Sequence, residues 1–138
     1  MGVLLSPDYR PSEDEPFMNE RQREYFRRRL IGWKEEILRE SKETLQNLAQ
    51  ETLTHADLAD RASTESERGN ELRARDRQRK LISKIDSALR RIDDGTYGFC
   101  EDSGDPISLR RLEARPIATL SIEAQERHER RERVYRDD

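Results

Sequence analysis

The chain has 138 residues, 41% of them charged and only 32% hydrophobic, which is too polar for a compact globule of this size. Because 27 basic residues nearly balance 30 acidic ones, the composition favours solvated helices with interleaved charges over a disordered chain. The net charge of −3 argues against a direct DNA binder, since such proteins usually carry a basic excess. With one cysteine, no long apolar stretch and no signal peptide, we expect a cytoplasmic protein without membrane contact.

The first predicted elements are an arm and a long helix. Residues 1–18 contain three prolines among polar residues and are expected to form a flexible arm. A helix is predicted from Asn19, its cap, to about residue 51, and Gln22 completes a capping-box pattern. Its apolar positions follow the 4-3-4 spacing of a coiled-coil seam at Phe26, Leu30, Trp33 and Ile37, and the seam is expected to continue through Leu38, Leu45 and Leu48.

A second long helix is predicted after a break at residues 52–57. It begins near Asp57 and ends at Gly95, a residue type typical of left-handed C-terminal stops. Its seam has the same spacing at Leu81, Ile85, Ala88 and Ile92. Two helices of about 30 residues with a short connection predict an antiparallel coiled-coil hairpin over residues 19–95, with its tip near 52–62.

The residues after the predicted hairpin do not continue its regular apolar spacing. Residues 96–120 predict turns and short extended pieces around a small core of Ile107, Leu109, Leu112, Ile117 and Leu120. Residues 121–138 predict a C-terminal helix in which each Glu precedes an Arg by four residues, the favourable order for a helix. The expected fold class is therefore mainly α, a long hairpin followed by a small finger-like region and a final helix.

Four positions around this region have the spacing of a metal site. Cys100, Ser103, Ser121 and Ala124 are separated by two, seventeen and two residues, which with four cysteines would be a strong structural zinc signature. Only Cys100 can supply a thiolate, because serine is a poor zinc ligand and alanine is none. We therefore expect no metal here.

The predicted tip carries two carboxylates, Asp57 and Asp60, on one helical face. Such a pair could hold a divalent cation, act as acid and base, or compensate the helix dipole. The sequence has no Gly-rich phosphate loop or metal cluster, and a hairpin tip has no pocket that excludes water. We expect dipole compensation and no enzymatic activity.

Several segments resemble one known family. Residues 55–62 (HADLADRA) resemble the tip motif of the DksA family, residues 97–104 (YGFCEDSG) its zinc-finger opening and residues 109–116 (LRRLEARP) its central segment. Residues 71–84 also fit its second hairpin helix. The resemblance covers the chain from about residue 19 to the C-terminus.

The resemblance implies a bacterial transcription regulator that inserts its coiled-coil tip into the secondary channel of RNA polymerase. Such proteins alter open-complex stability at ribosomal RNA and biosynthetic promoters together with ppGpp. By position, it implies a functional tip of Asp57, Asp60 and Ala62, polymerase-binding residues Arg73 and Arg77, and ppGpp contacts Lys84 and Arg115. Gln125 stands where the family commonly has a third basic ppGpp contact. The expected partners are RNA polymerase and ppGpp, and we expect a monomer.

The resemblance also implies that three of four zinc cysteines are replaced. A zinc-independent variant needs other contacts, and we expect burial of Phe99, Ile107, Leu109, Leu120 and Ile122, with hydroxyl hydrogen bonds from Ser103 and Ser121. Two other functions stay open at this point. One is a secondary-channel factor that assists transcript cleavage, and the other is a generic coiled-coil adaptor.

Overall fold

The structure is a computed structural model that describes residues 3–54 and 58–137, with their side chains except at 48, 50–64 and 135–137. Four helices follow one another along the chain: α1 (Glu20–Thr54), α2 (Leu58–Asp94), α3 (Leu109–Ala114) and α4 (Ile122–Asp137). Outside helices, the described residues contain one isolated antiparallel bridge, between Phe99 and Pro106. The predicted class, mainly α with two long helices in a hairpin, is confirmed. No helix in the described part of the chain is both long and apolar enough to cross a membrane.

The chain divides into two compact units. Unit 1 comprises Met1–Leu30 and Ser87–Asp138, and unit 2 comprises Ile31–Asp86. The two long helices pass through both units. Unit 1 therefore contains the start of α1 and the end of α2 together with α3 and α4.

The start of α1 is capped as the pattern predicts, but only by one half of a capping box. The side-chain oxygen of Asn19 accepts a hydrogen bond from the backbone amide of Gln22 at 2.9 Å. The reciprocal bond is displaced by one residue, because Oε1 of Gln22 accepts from the amide of Met18 at 2.7 Å. Met18 has a φ of 53°, the left-handed region that non-glycine residues seldom adopt.

The end of α2 is a Schellman-type stop. Gly95 has a φ of 85°, and the amide of Thr96 donates to the carbonyl of Arg91 at 2.9 Å. Thr96 also donates through its backbone amide and hydroxyl to Asp94 Oδ1, and these bonds lower the pKa of that carboxyl. The chain therefore turns sharply from α2 into the finger-like region.

The core of unit 1 joins the hairpin helices to the finger-like region. Phe26 of α1 and Tyr97 have their ring centroids 5.6 Å apart, and both rings are almost fully buried. The Tyr97 hydroxyl donates to the carbonyl of Pro116 at 2.8 Å, and burial raises the pKa of this phenol. The other buried apolar residues of this core include Leu30, Ala88, Ile92, Ile107, Leu109, Leu112, Ile117 and Ala124.

Two side chains expected in this core lie at the surface instead. Phe99 is 38% exposed and Ile122 is 49% exposed. Phe99 points its ring at Phe17 of the N-terminal arm, with centroids 5.4 Å apart. Ile122 occupies the first position of α4, where the buried face of the helix is provided by Ala124.

Unit 2 has a thin apolar seam. Its buried apolar residues among those described are Ile37 and Ile85, with Trp33 and Leu81 half-buried beside them. The predicted continuation of the seam was wrong at Leu38 and Leu45, which are 49% and 46% exposed. These residues lie one position beyond the seam, and the neighbouring turn of α1 uses Ser41 to contact Gln78 of α2. The third residue of this predicted continuation, Leu48, lies outside the side chains that the structure describes.

Candidate functional site

The four candidate metal positions lie on two turns: a loop turn that contains Cys100 and Ser103, and the first turn of α4, which Ser121 precedes and which contains Ala124. Cys100 begins the first turn, where its amide donates to the carbonyl of Asp105 and its carbonyl accepts from Gly104, both at 2.8 Å. Gly104 has a φ of 76°, so this turn requires the left-handed conformation that glycine adopts easily. Ser121 caps α4, because its hydroxyl oxygen accepts from the amide of Ala124 at 3.2 Å.

Ser103 and Ser121 are the residues that act on the thiol of Cys100. Burial of this thiol opposes ionisation, but hydrogen bonds from the side chains and backbones of Ser103 and Ser121 outweigh it and lower the pKa to about 6. Cys100 is only 2% exposed. The thiol is buried, whereas Ser103 is exposed and Ser121 is half-buried, so the two serines lie between a buried sulfur and solvent and their donors favour its ionised form.

The residues at these positions do not fit a zinc ion. A structural zinc site needs four donors, usually cysteine or histidine, and here the fourth position is the methyl group of Ala124. That methyl group is fully buried, so it fills space and supplies no lone pair. In the part of the chain that the structure describes, no group of three or more His, Cys, Asp or Glu side chains could hold a metal.

Two contacts connect the two turns without a metal, Glu101 with Thr119 and Asp102 with His128, and a third joins α3 to the residues before α4. The amide of Glu101 donates to the carbonyl of Thr119 at 2.9 Å, and Nε of Arg111 donates to the carbonyl of Leu120 at 2.8 Å. His128 of α4 lies 2.7 Å from Asp102 of the first turn, measured from Nε2 to Oδ2. No local sequence pattern predicts this contact, because the pair is 26 residues apart in the chain.

The N-terminal arm contributes a second support that the sequence did not predict. Gln22 is fully buried and donates through Nε2 to the carbonyl of Ser12 at 3.1 Å while its oxygen accepts from Met18. Met18 and Phe17 also cover Gly98, where a Cβ atom would lie 3.2 Å from each of them. The predicted flexibility of residues 1–18 stays a prediction, but residues 12–18 contact both α1 and the finger-like region.

Glu15 connects the arm to the start of α1. The hydroxyl of Tyr9 donates to Glu15 Oε2 at 2.6 Å, and Asn19 donates to the same oxygen at 3.3 Å. The bond from Tyr9 is the main cause of a lowered pKa for Glu15, and burial with that bond raises the pKa of Tyr9 to about 12. The sequence signal for this network is Gln22, which the capping-box pattern identified. Its burial is seen only in the structure.

The predicted tip residues lie where the structure describes little. Asp57 falls outside the described residues, and Asp60 and Ala62 lie within α2, with side chains outside the described set. The basic candidates of the hairpin are better defined. Arg73 and Arg77 are exposed and four residues apart, so they share one face of α2, and Arg73 donates to Asn70.

The two candidate ppGpp residues lie in different units. Lys84 is exposed on α2 in unit 2, and Arg115 is exposed at the end of α3 in unit 1. The amide of Arg115 donates to the carbonyl of Arg111 at 2.7 Å, which fixes the backbone at this position. Gln125, which the resemblance predicts to replace a third basic contact, is half-buried and donates to Glu129 at 3.4 Å.

The fold and the finger-like region together define a class, a helical hairpin joined to a remnant of a four-ligand zinc finger. Residues 22–92 match the family described as DnaK suppressor protein DksA, N-terminal domain. Residues 95–130 match the prokaryotic dksA/traR C4-type zinc finger. These two matches adjoin and cover most of the chain, and the second one contains all four candidate metal positions.

Similar whole proteins and a solved structure agree with this class. The chain is 73% identical over 136 residues to the RNA polymerase-binding transcription factor DksA of Caulobacter vibrioides, covering 99% of this chain and 96% of that protein. It is 42% identical over 136 residues to the protein of the same description from Escherichia coli, covering 96% and 90%. The solved structure of transcription factor DksA2 from Pseudomonas aeruginosa superposes with a TM-score of 0.79 at 44% identity, covering 85% of this chain and 90% of that one. The chain belongs to the DksA family.

Proposed function

We propose that this protein is a transcription regulator that binds bacterial RNA polymerase and catalyses no reaction. The observation that carries the proposal is the 73% identity, over nearly the full length of both chains, to a relative named as an RNA polymerase-binding transcription factor. The hairpin of α1 and α2 supplies the stiff element that such a protein needs to reach into a channel. A protein of this kind works in the cytoplasm, where the polymerase is, and we expect it to act as a monomer.

The proposed mechanism assigns the tip the regulatory role. The hairpin enters the secondary channel, and Asp57, Asp60 and Ala62 alter the stability of open complexes at ribosomal RNA and biosynthetic promoters. A carboxylate in a confined channel interacts strongly with nearby cationic groups, because water screens it little there. Arg73 and Arg77 support binding through exposed guanidinium groups on one face of α2.

We further propose that ppGpp strengthens this regulation through Lys84 and Arg115. Both side chains are exposed, and basic groups of this kind bind phosphates through charge-assisted hydrogen bonds. Gln125 supplies no charge at the third position. The response to ppGpp should therefore be present but weaker than in a relative with three basic residues.

The finger-like region is proposed to fold without zinc. The support is the donor set, one thiol and two hydroxyls beside a buried methyl group, together with the metal-free contacts between the two turns. The thermal midpoint of the protein should not change on adding a chelator. The triple variant Ser103→Cys, Ser121→Cys, Ala124→Cys supplies the matched control, since it regains four thiolates and its midpoint should depend on zinc. A sharp drop of the parent's midpoint with chelator would contradict zinc independence.

Transcription in vitro tests the main proposal. A ribosomal RNA promoter and purified bacterial RNA polymerase are combined with the parent or the Asp60→Asn variant, each with and without ppGpp. We expect the parent to inhibit, ppGpp to deepen the inhibition, and Asp60→Asn to bind polymerase without inhibiting. The matched control is Asp76→Asn, which removes an exposed carboxylate farther along the same helix and should behave as the parent.

Two results would replace the proposed function with one of its alternatives. Stimulated transcript cleavage in stalled complexes, without inhibition at the promoter, would make the protein a cleavage-assisting channel factor. Absence of polymerase binding by the folded parent would leave a coiled-coil adaptor with another partner.

A further inference from the structure

Unit 2 carries a second row of apolar side chains outside its seam. Ile31, Leu38 and Leu45 follow one another at intervals of seven residues along α1 and are 40%, 49% and 46% exposed. Seven residues are nearly two helical turns, so the three side chains share one face of α1 and form a row about 21 Å long. Leu38 directly follows the buried seam residue Ile37, so this outer row is turned about 100° away from the seam.

Two arginines of α2 lie on the same side of the hairpin as the outer row. Lys34 is four residues before Leu38 and therefore shares its side of α1, and Nζ of Lys34 lies 2.7 Å from Oδ1 of Asp86 in α2. Arg79 and Arg75 precede Asp86 by seven and eleven residues, spacings that place them on its face of α2. The outer row and these α2 residues therefore form one surface of unit 2, the outer face.

The outer face has a basic excess. Its charged side chains are Lys34, Glu35, Lys42, Arg68, Glu71, Arg75, Arg79 and Asp86. Five of these are basic and three are acidic, and the ion pair of Lys34 with Asp86 is neutral as a unit. Neither Arg75 nor Arg79 forms a side-chain hydrogen bond or an ion pair with a residue that the structure describes. Their guanidinium groups are therefore available to carboxylates of another molecule.

The spacing and the charge together indicate what covers the outer face. Exposed apolar residues seven apart have the interval at which one helix packs alongside another, and apolar grooves on helix pairs bind amphipathic helices in this way. A second copy of this chain would bring two basic faces together, which Coulomb repulsion disfavours. A helix with carboxylates beside its apolar residues would meet Arg75 and Arg79 with opposite charge.

We propose that the outer face docks an amphipathic helix of RNA polymerase whose apolar residues contact the outer row and whose carboxylates pair with Arg75 and Arg79. This inference rests on the proposed function, because the polymerase is the partner named there. It adds a surface to that function, since Arg77 is two residues from both Arg75 and Arg79 and so lies about 200° around α2 from them. Polymerase contacts would then lie on both sides of the hairpin.

The apolar part of the inference is tested by the affinity for purified polymerase. Leu38→Gln should raise the Kd several-fold, and adding Ile31→Gln and Leu45→Gln should raise it by about tenfold or more, because the apolar contacts are lost. The matched control is Ile122→Gln on α4, since Ile122 and Leu38 are both 49% exposed. The control should keep the parent's Kd, and circular dichroism should show equal thermal midpoints for all variants.

The charged part is tested by the dependence of the affinity on salt. Arg79→Gln should raise the Kd several-fold at low ionic strength and make the Kd less sensitive to added salt, because a desolvated ion pair is lost. The matched control is Arg39→Gln, which removes an exposed arginine about 100° further around α1 than Leu38. This control should keep the salt dependence of the parent.

The identity of the occupant is tested with p-benzoylphenylalanine in place of Leu38. We expect light to cross-link this position to a helical segment of the polymerase that carries carboxylates beside its apolar residues. A cross-link to a second copy of the chain, or equal Kd values for Leu38→Gln and Ile122→Gln, would overturn the inference while leaving a parent that binds and inhibits polymerase. A folded parent that does not bind polymerase would overturn the proposed function and this inference together.

Discussion

Units 1 and 2 share the same two long helices but are stabilised differently. In unit 1, α1 and α2 pack on a finger-like region, and a buried core surrounds Phe26 and Tyr97. Among the described residues of unit 2 the same helices pack on each other, and the polar contacts Lys34–Asp86 and Ser41–Gln78 accompany a short seam at Ile37 and Ile85. A helix pair buries enough apolar surface for a full core only where a third element covers it. Unit 1 therefore carries most of the stability, and unit 2 carries most of the residues proposed for regulation, with Arg115 in unit 1 as the exception.

The largest difference should appear on truncating an apolar side chain in each unit. Phe26→Ala leaves a cavity in a fully buried site and should lower the free energy of unfolding by about 3–5 kcal/mol. Leu45→Ala, at a half-exposed position of unit 2, should change it by no more than about 0.5 kcal/mol. Urea unfolding followed by circular dichroism measures both. Equal effects would show that the two units do not differ in packing.

A smaller difference in the free energy of unfolding is expected between alanine variants of two glutamines, one in each unit. Gln22→Ala leaves the buried Met18 amide and the Ser12 carbonyl without their partner, so it should lower the free energy of unfolding by about 1–3 kcal/mol. Gln78→Ala removes one half-buried acceptor, and its Ser41 partner can turn to water, so we expect less than about 1 kcal/mol. The same unfolding measurement applies. A larger effect at Gln78 would contradict the role of Gln22 in connecting the N-terminal arm to α1.

The pH dependence of unit 1 should contain a contribution from Cys100. Its folded pKa of about 6 lies below the ordinary value of about 8.5, so the folded state binds the proton less tightly than the unfolded state. The resulting stability is fully present above about pH 8.5 and is lost as the pH falls toward 6. Thermal midpoints of the parent between these pH values should fall with acidification, and Cys100→Ala should remove that part of the slope. An unchanged slope in Cys100→Ala would refute the assignment.

The smallest expected effect concerns the Asp102–His128 pair. Both side chains are more than one-third exposed, and exposed pairs of this kind couple by about 0.2–1 kcal/mol. A double-mutant cycle with Asp102→Asn and His128→Gln isolates the coupling from the effect of each single change. No coupling would mean that backbone bonds such as Glu101 to Thr119 connect the two turns without it.

The parts of the fold that follow from local patterns could be predicted from the sequence. The spacing of Phe26, Leu30 and Ile37 gives the seam of α1, and Gly95 gives the end of α2, because both signals lie within a few residues of the structure they produce. The exposure of Leu38 and Leu45 could not be predicted, since it depends on what α2 presents opposite them. The six-residue helix α3 was missed because so short a segment has no periodic signal.

The candidate site likewise has parts that local sequence patterns predict and parts that they do not. The spacing from Cys100 to Ala124 located the two turns, and the residue types alone excluded a four-ligand zinc site. The replacement contacts join residues far apart in the chain, as with Phe17 and Phe99, and no local pattern encodes them. The assignments of Asp60, Arg73, Arg77, Lys84 and Arg115 stay predictions that rest on position in the family.

The buried methyl group of Ala124 has a consequence for how folding responds to the surroundings of the protein. When a metal binds only the folded state, stability rises with the logarithm of the free metal concentration. If the finger folds without zinc, as proposed above, mass action by zinc does not enter its folding equilibrium. The fraction of folded protein would then be the same in zinc-starved and zinc-replete surroundings at a given pH and temperature.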